Sequence, residues 1–212
     1  CGLGNRWFRP FLEVCKMKNK LFTTANLVKM AVLAAVGAAL MFFEVPLPFA
    51  PYFYELDFSE VPILIGSFIM GPVAGVIMEL VKILLKLALK GSWTFGVGDL
   101  GNFLIGCSFI VPTAIIYRKI KGLKGMIIAC VSGTLCLAIV GAVLNYGLLL
   151  PFYAQFMPID QIIELGASVN AFVYDMKSLV LWAVVPFNLL KGVLVSLITL
   201  LCYKRISKSV EG

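Results

Sequence analysis

The sequence contains no histidine, and only 14% of its 212 residues are charged. A chain without histidine has neither a histidine metal site nor the Ser-His-Asp or Cys-His pairs of common nucleophilic enzymes. Soluble domains carry about 25% charged residues, whereas this chain is 61% hydrophobic. The composition therefore indicates a helical integral membrane protein, since its apolar stretches are long rather than short and alternating.

Further absences narrow the function. The sequence has no G-x-x-x-x-G-K-[ST] phosphate loop, so the chain is not its own ATPase. Its two halves show no clear inverted repeat, which disfavours a secondary transporter of the usual size. No C-x-x-C spacing occurs, and the cysteines are expected to be reduced: Cys1, Cys15, Cys107, Cys130, Cys136 and Cys202. These absences fit a small membrane protein that binds a ligand and depends on a partner protein for energy.

Six apolar segments predict an all-α integral membrane protein with a six-helix transmembrane bundle. Their approximate ranges are 25–45, 61–70, 72–89, 97–117, 126–150 and 179–203. The second is short, and Gly71-Pro72 separates it from the third. We expect residues 17–212 to form one domain, and we interpret residues 1–16 as a tag, a misassigned start or a short extension.

The charged residues predict the orientation of this bundle. Lysine and arginine lie beside both termini and in the loop after the fourth segment: Lys16, Lys18, Lys20, Arg118, Lys119, Lys121, Lys124, Lys204, Arg205 and Lys208. Acidic residues concentrate on the other side: Glu44, Glu55, Asp57, Glu60, Asp160, Glu164 and Asp175. By the positive-inside rule both termini are cytoplasmic. The long connections 46–60 and 151–177 would then lie outside and could cover a pocket.

A lysine interrupts the last apolar segment. Lys191 lies roughly 18 Å from either end of that segment, so its stem is too short to bring the ammonium to an interface. Asn188 precedes it by three residues and shares its helix face. Buried intramembrane charge usually faces a bundle interior or a cavity. With Asn145 from the fifth segment, this pair predicts a binding wall for a neutral or mildly acidic ligand.

Other polar residues allow two interpretations. Glu79 and Lys82 are spaced as an intrahelical ion pair or as part of a pocket wall, and Lys86 could snorkel outward. Asp99 is a helix-start residue or a site residue, and Asn102 is a candidate ligand residue. Outer aromatic residues either form the interfacial belt or stack on a flat ligand: Tyr52, Phe53, Tyr54, Phe58, Trp93 and Phe95.

Small residues cover one side of the first segment. Ala31, Ala35 and Ala39 are spaced by four, as are Ala34 and Ala38. Such a surface lets another helix approach closely. The spacing alone leaves open whether that helix belongs to this chain or to a partner.

Several runs resemble the substrate-binding S components of energy-coupling factor transporters. These runs are L-D-F-S-E-V-P at 56–62, F-I-M-G-P-V-A-G at 68–75 and E-L-V-K at 79–82. The later Asn145 with Pro151 and Tyr153, and P-F-N-L-L-K-G at 186–192, are similar to the riboflavin-binding members. The resemblance covers roughly residues 20–208, nearly the whole chain.

The resemblance implies a subunit of the bacterial cell membrane that captures riboflavin, or FMN, from outside. It works with a membrane coupling subunit and two cytoplasmic ATP-binding-cassette ATPases, and it has no cofactor or metal of its own. It implies ligand contacts for Asn145, Asn188 and Lys191, a lid with apolar contacts for residues 56–58, and coupling-subunit contacts for the alanine surface. Further candidates for the ligand site are Leu56, Asp57, Phe58, Glu79, Trp93, Asn102 and Tyr153.

The sequence leaves three alternatives open. The first is an S component for thiamin, biotin or pantothenate. The second is a stand-alone facilitator that moves substrate without any ATPase. The third is a small intramembrane enzyme using Glu79, Lys82 and Asp99, although no catalytic motif supports it.

Overall fold

A computed structural model describes residues 22–46, 55–92 and 94–202 of the protein. The principal helices are α1 (Thr24–Leu40), α2 (Glu60–Met70), α3 (Pro72–Lys90), α4 (Val97–Lys119) and α5 (Gly122–Leu144). Four further helices follow: α6 (Leu150–Tyr153), α7 (Ile159–Ala167), α8 (Met176–Leu179) and α9 (Val185–Leu201). Two short strands, β1 (Val45–Pro46) and β2 (Glu55–Leu56), pair antiparallel.

Every apolar segment predicted from the sequence contains a helix, with shifted ends. The first helix ends at Leu40 rather than near residue 45, because the chain turns there and Val45 pairs with Leu56. The fifth begins at Gly122 and the sixth at Met176, each several residues before the predicted start. Asp175 explains the latter, because its side chain accepts a hydrogen bond from the Ser178 backbone and caps the helix.

Two turns of π-helix interrupt the longest helices, which the sequence did not predict. Asn145–Leu149 connects α5 to α6, and Val180–Val184 connects α8 to α9. The two π turns contact each other across the bundle. Single π turns inside α-helices occur frequently at functional sites. The first of these two begins at Asn145, and the second ends one turn before Asn188.

The helices Val97–Lys119, Gly122–Tyr153 and Met176–Leu201 are long and apolar enough to cross a membrane. Thr24–Leu40 and Glu60–Met70 are apolar but shorter. The third predicted segment is helical throughout Pro72–Lys90 and carries four charged residues: Glu79, Lys82, Lys86 and Lys90. The helical fold is thus established, and the described residues contain three helices that are long and apolar enough to span, beside α1 and α2, which are shorter, and α3, which is more charged.

The core lies between α2, α4, α5 and α9. Phe68 and Tyr117 pack with ring centroids 4.7 Å apart, beside Phe109, Met126 and Val195. A second cluster joins the 151–177 connection to α6, α8 and the π turn Val180–Val184, through Leu150, Ile162, Val173, Leu179 and Ala183. This second cluster fixes the connection over one end of the bundle.

The junction between α2 and α3 has a fixed bend. Gly71 adopts φ +104°, a conformation that favours glycine, and Pro72 then starts α3. The Arg118 guanidinium from the end of α4 donates a hydrogen bond of 3.2 Å to the Met70 carbonyl. This hydrogen bond therefore holds α2 and α4 together at the end of the bundle opposite the site described below.

Candidate functional site

A cavity of about 530 Å³ opens at the end of the bundle where β2 and the 151–177 connection lie. Binding pockets for small molecules typically span about 300–1,000 Å³. Its polar wall contains Asp57, Glu60, Asn102, Asn145, Asn188 and Lys191. Apolar surface comes from Met41, Ile105, Leu137, Leu149, Met157 and Phe187. This is the end that the charge distribution predicts to be outside.

Lys191 is held at the cavity wall by two carboxylates. Its Nζ lies 3.0 Å from Asp57 Oδ2 and 3.2 Å from Glu60 Oε1. The Lys191 side chain is 14% exposed, so its ammonium reaches the cavity while most of its stem is buried. The prediction that Lys191 faces an interior pocket agrees with this geometry, and Asp57 also lines the cavity.

The loop carboxylate Asp57 is strongly stabilised in its ionised form. Burial alone would raise its pKa, but the ammonium groups of Lys191 and Lys82 and the hydrogen bond from Ser59 hold that pKa well below its usual range. Asp57 therefore presents a fixed negative charge to Lys191 at neutral pH.

Asn188 and Asn145 meet at one glycine of α5. Asn145 Nδ2 donates a 2.8 Å hydrogen bond to the Gly141 carbonyl, and Asn188 Nδ2 donates a 2.9 Å hydrogen bond to the Val184 carbonyl. A β-carbon at Gly141 would lie only 2.8 Å from Asn188 Nδ2. Both amides are buried and line the cavity, so the two helices bring them together as the sequence predicted.

Glu79 lies behind the cavity, which corrects its assignment as a candidate ligand residue. Its side chain is fully buried, with Oε1 2.8 Å from Lys82 Nζ, and it packs against Gly106 of α4. The i, i+3 spacing therefore forms the intrahelical ion pair that was one of its two interpretations. The pair lies in the bundle interior and does not line the cavity.

Two further ion pairs lie toward the cavity opening. Lys86 Nζ contacts Asp99 Oδ1 at 2.6 Å, and Lys90 pairs with Glu44. Burial and the neighbouring Glu44 raise the pKa of Glu55, against the opposing charge of Lys90. The described part of the cavity lining contains three lysines: Lys86, Lys90 and Lys191. Each of them already has a carboxylate partner.

The lid residues behave differently from expectation. Leu56 is buried against Phe187, and Phe58 packs on the same pair and on the main core. Neither contributes to the described cavity lining, because their apolar side chains are packed inside the bundle. Their assignment as ligand contacts stays a prediction. Trp93 and the aromatic run Tyr52 to Tyr54 lie outside the described residues.

Asn102 and Tyr153 both line the cavity. Phe95 is 83% exposed and stacks on Phe156 with ring centroids 5.9 Å apart. Phe156 lines the cavity, so an aromatic pair stands at its opening.

The sequence did not reveal the carboxylate partner of Lys191 or much of the apolar lining. Lys191 required a counter-charge, yet Asp57 lies 134 residues earlier, and only the folded chain brings the two together. The contributions of Leu149 and Met157 had no sequence signal, because their positions follow from the π turn and the 151–177 connection.

The alanine surface of α1 divides into two parts. Ala31, Ala35 and Ala39 are exposed, whereas Ala34 and Ala38 are buried within the chain. The expectation that all five meet a partner is therefore wrong for Ala34 and Ala38, whose small side chains allow close packing inside the bundle.

Comparisons with known proteins agree on one family. The family model for the substrate-specific component of the ECF transporter matches residues 25–203. The riboflavin transporter RibU of Staphylococcus aureus (strain TCH60) is 34% identical over 190 residues, covering 88% of this chain and 92% of that protein. The riboflavin transporter FmnP of Bacillus subtilis (strain 168) is 31% identical over 187 residues, covering 88% and 94%.

A solved structure gives the same result. The S component of a bacterial ECF transporter superposes with a TM-score of 0.67 at 32% identity, covering 86% of this chain and 95% of that chain. The long apolar helices fit a protein embedded in the bilayer. The chain is thus a multi-pass protein of the bacterial cell membrane and belongs to the family of substrate-specific components of energy-coupling factor transporters.

Proposed function

We propose that this protein is the riboflavin-binding S component of an energy-coupling factor transporter. The observation that carries the proposal is the cavity lining, in which Asn145, Asn188 and Lys191 occur together with apolar side chains. Two amides and an ammonium can bond the polar edge of a flavin, while residues such as Leu137 and Phe187 pack on its rings. The similar relatives are themselves named riboflavin transporters.

The charges of the cavity favour an uncharged ligand. Its described lysines are all neutralised by carboxylates, so a negatively charged ligand would have to displace one of them. Riboflavin carries hydroxyl groups and ring amides but no net charge at neutral pH. FMN adds a phosphate, and we infer that it is a weaker ligand of the same cavity.

The bundle supports a topology with six spans and cytoplasmic termini. The charge asymmetry follows the positive-inside rule, and the cavity opens on the acidic side beside Glu44 and Glu55. Riboflavin would therefore enter from outside. Helices α1 and α2 are shorter than a typical span, and local thinning of the bilayer accommodates such short helices.

Transport requires partners. The chain has no phosphate loop, so energy must come from ATPases bound elsewhere in the complex. We propose that a membrane coupling subunit packs on the exposed residues Ala31, Ala35 and Ala39 of α1, and that two ATP-binding-cassette ATPases drive it. These small side chains allow the close helix approach that association in lipid needs.

Purified protein in detergent tests the ligand directly. Titration with riboflavin should quench flavin fluorescence saturably, and Lys191→Ala and Asn188→Ala should weaken binding. Lys124→Ala, on an exposed residue at the opposite end, is the matched control. Absence of quenching by folded wild-type protein would contradict riboflavin as the ligand, and a panel of thiamin, biotin and pantothenate would then be tested.

Reconstitution tests the partner requirement. Liposomes containing this protein alone should not accumulate riboflavin, whereas liposomes with the coupling subunit and ATPases should do so when ATP is present. Uptake by the protein alone would favour the stand-alone facilitator.

A further inference from the structure

Behind the cavity wall, ion pairs continue into the bundle. Asp57, Glu60, Glu79, Lys82 and Lys191 come from the β2 loop, α2, α3 and α9. Three of these groups are acidic and two are basic, and all are largely buried. Buried charges are costly unless paired, so each member depends on its neighbours. Lys82 is 1% exposed and does not line the cavity.

A single oxygen joins the two ammonium groups. Glu60 Oε1 lies 3.4 Å from Lys82 Nζ and 3.2 Å from Lys191 Nζ. Lys82 therefore competes with Lys191 for the same carboxylate oxygen. The presence of Lys82 limits how far the Lys191 ammonium can move away from the cavity toward Glu60.

Ser59 fixes both carboxylates that hold Lys191. Its hydroxyl accepts a 3.0 Å hydrogen bond from Lys82 Nζ and donates a 3.2 Å bond to Glu60 Oε2. Its backbone N–H donates a 2.8 Å bond to Asp57 Oδ1, which leaves Oδ2 directed at Lys191. Lys82 thus reaches Lys191 by two routes, through Glu60 and through Ser59.

Helix α1 closes the back of this arrangement. A β-carbon at Gly37 would lie 3.1 Å from the Ser59 carbonyl and 3.3 Å from Lys82 Cδ. The stem of Lys82 and the turn at Ser59 therefore have little freedom to move away from α2. A rigid support of this kind is what a precise binding group requires.

We propose that Lys82 is a positioning residue for Lys191, which it holds at the cavity wall through Glu60 and Ser59 without touching the ligand. This rests on the proposed function, because riboflavin binding is the readout. Loss of Lys82 would let Glu60 draw the Lys191 ammonium inward. Ligand affinity should then fall even though no residue of the cavity lining has changed.

The test is a thermodynamic cycle between the two lysines. Lys82→Gln is combined with Glu79→Gln, which removes one positive and one negative charge and avoids leaving Glu79 unpaired. We expect this double variant to bind riboflavin about tenfold more weakly than wild type. In a Lys191→Met background the same two changes should cause little further loss. Lys124→Gln is the control for removal of an exposed lysine.

Ser59→Ala provides a second variant that removes no charge. It deletes the hydroxyl that accepts a hydrogen bond from Lys82 and donates one to Glu60. It should therefore weaken riboflavin binding severalfold, but only when Lys191 is present. Equal weakening with and without Lys191, or no weakening by either variant, contradicts the positioning role while leaving the proposed function intact. Absence of riboflavin binding by wild-type protein contradicts both.

Discussion

Lys191 of α9 and Asp57 of the loop after β2 form an ion pair with Nζ and Oδ2 3.0 Å apart, across 134 residues of sequence. The pair links the loop directly after β2 to α9 at the wall of the cavity. It therefore ties the position of the loop to the group that is expected to bind the ligand. A substitution that breaks this pair should therefore change both the position of the loop at Asp57 and the affinity for the ligand.

Asp57→Asn should weaken riboflavin binding and reduce stability by about 1–3 kcal/mol, because it leaves a largely buried ammonium with Glu60 as its remaining partner. Asp57→Glu should retain part of the affinity, since its carboxylate can still reach Lys191. Thermal unfolding in detergent and fluorescence titration measure the two effects. An Asp57→Asn variant with wild-type affinity and stability would show that the pair is unimportant.

The contribution of Asp57 should also depend on pH in one direction. Because the folded-state pKa of Asp57 is depressed, its stabilisation is fully present above the unfolded-state value, which is about 3.9. It is lost as the pH falls below that value toward the lower folded-state pKa. The difference in stability between wild type and Asp57→Asn should be constant from about pH 5 to 8 and shrink below about pH 4. A difference that changes between pH 6 and 8 would contradict this.

Much of this fold is visible in the sequence, and the limits have physical causes. Apolar stretches and the Gly71-Pro72 break predict the principal helices, because burial and backbone geometry act locally. Lys191 and Asn188 stand out because a charge and an amide in an apolar segment need an interior partner. The partner Asp57 was not predictable from spacing, since only long-range packing decides which carboxylate reaches the lysine.

The errors have similar causes. Glu79 has the same i, i+3 pattern whether it faces a pocket or the interior, and the structure places it against Lys82 and Gly106. The alanine spacing likewise does not separate the exposed Ala35 from the buried Ala34, because adjacent residues on a helix lie about 100° apart and both can border one wide surface.

Gly141→Ala tests the place where the two amides meet. The added methyl would lie 2.8 Å from Asn188 Nδ2, so Asn188 must shift or α5 and α9 must separate. We expect riboflavin affinity to fall about tenfold, with a smaller effect on stability. Gly147→Ala in the π turn is the matched control, because nothing lies within 4 Å of its added methyl. Equal effects of the two substitutions would show that Asn188 is not placed by this contact.

The paired lysines predict how the cavity treats a phosphate. FMN should bind more weakly than riboflavin, because its phosphate must break an existing ion pair such as Lys86–Asp99. Asp99→Asn releases Lys86 from its carboxylate and should reduce the ratio of the FMN and riboflavin dissociation constants about fivefold. Competition titrations with both flavins measure this ratio. An unchanged ratio would mean that the phosphate does not reach Lys86.

Ala35 and Ala34 form a natural pair for testing the docking surface of α1. Ala35→Trp adds a large side chain at an exposed position, so riboflavin binding should be retained while assembly with the coupling subunit is lost. Ala34→Trp adds the same side chain where no space exists, at 0% exposure, and should destabilise the bundle and abolish binding. Co-purification with the coupling subunit and riboflavin titration separate the two outcomes. Assembly that survives Ala35→Trp would exclude this surface as the docking site, because a tryptophan there prevents the close helix approach that the small side chains permit.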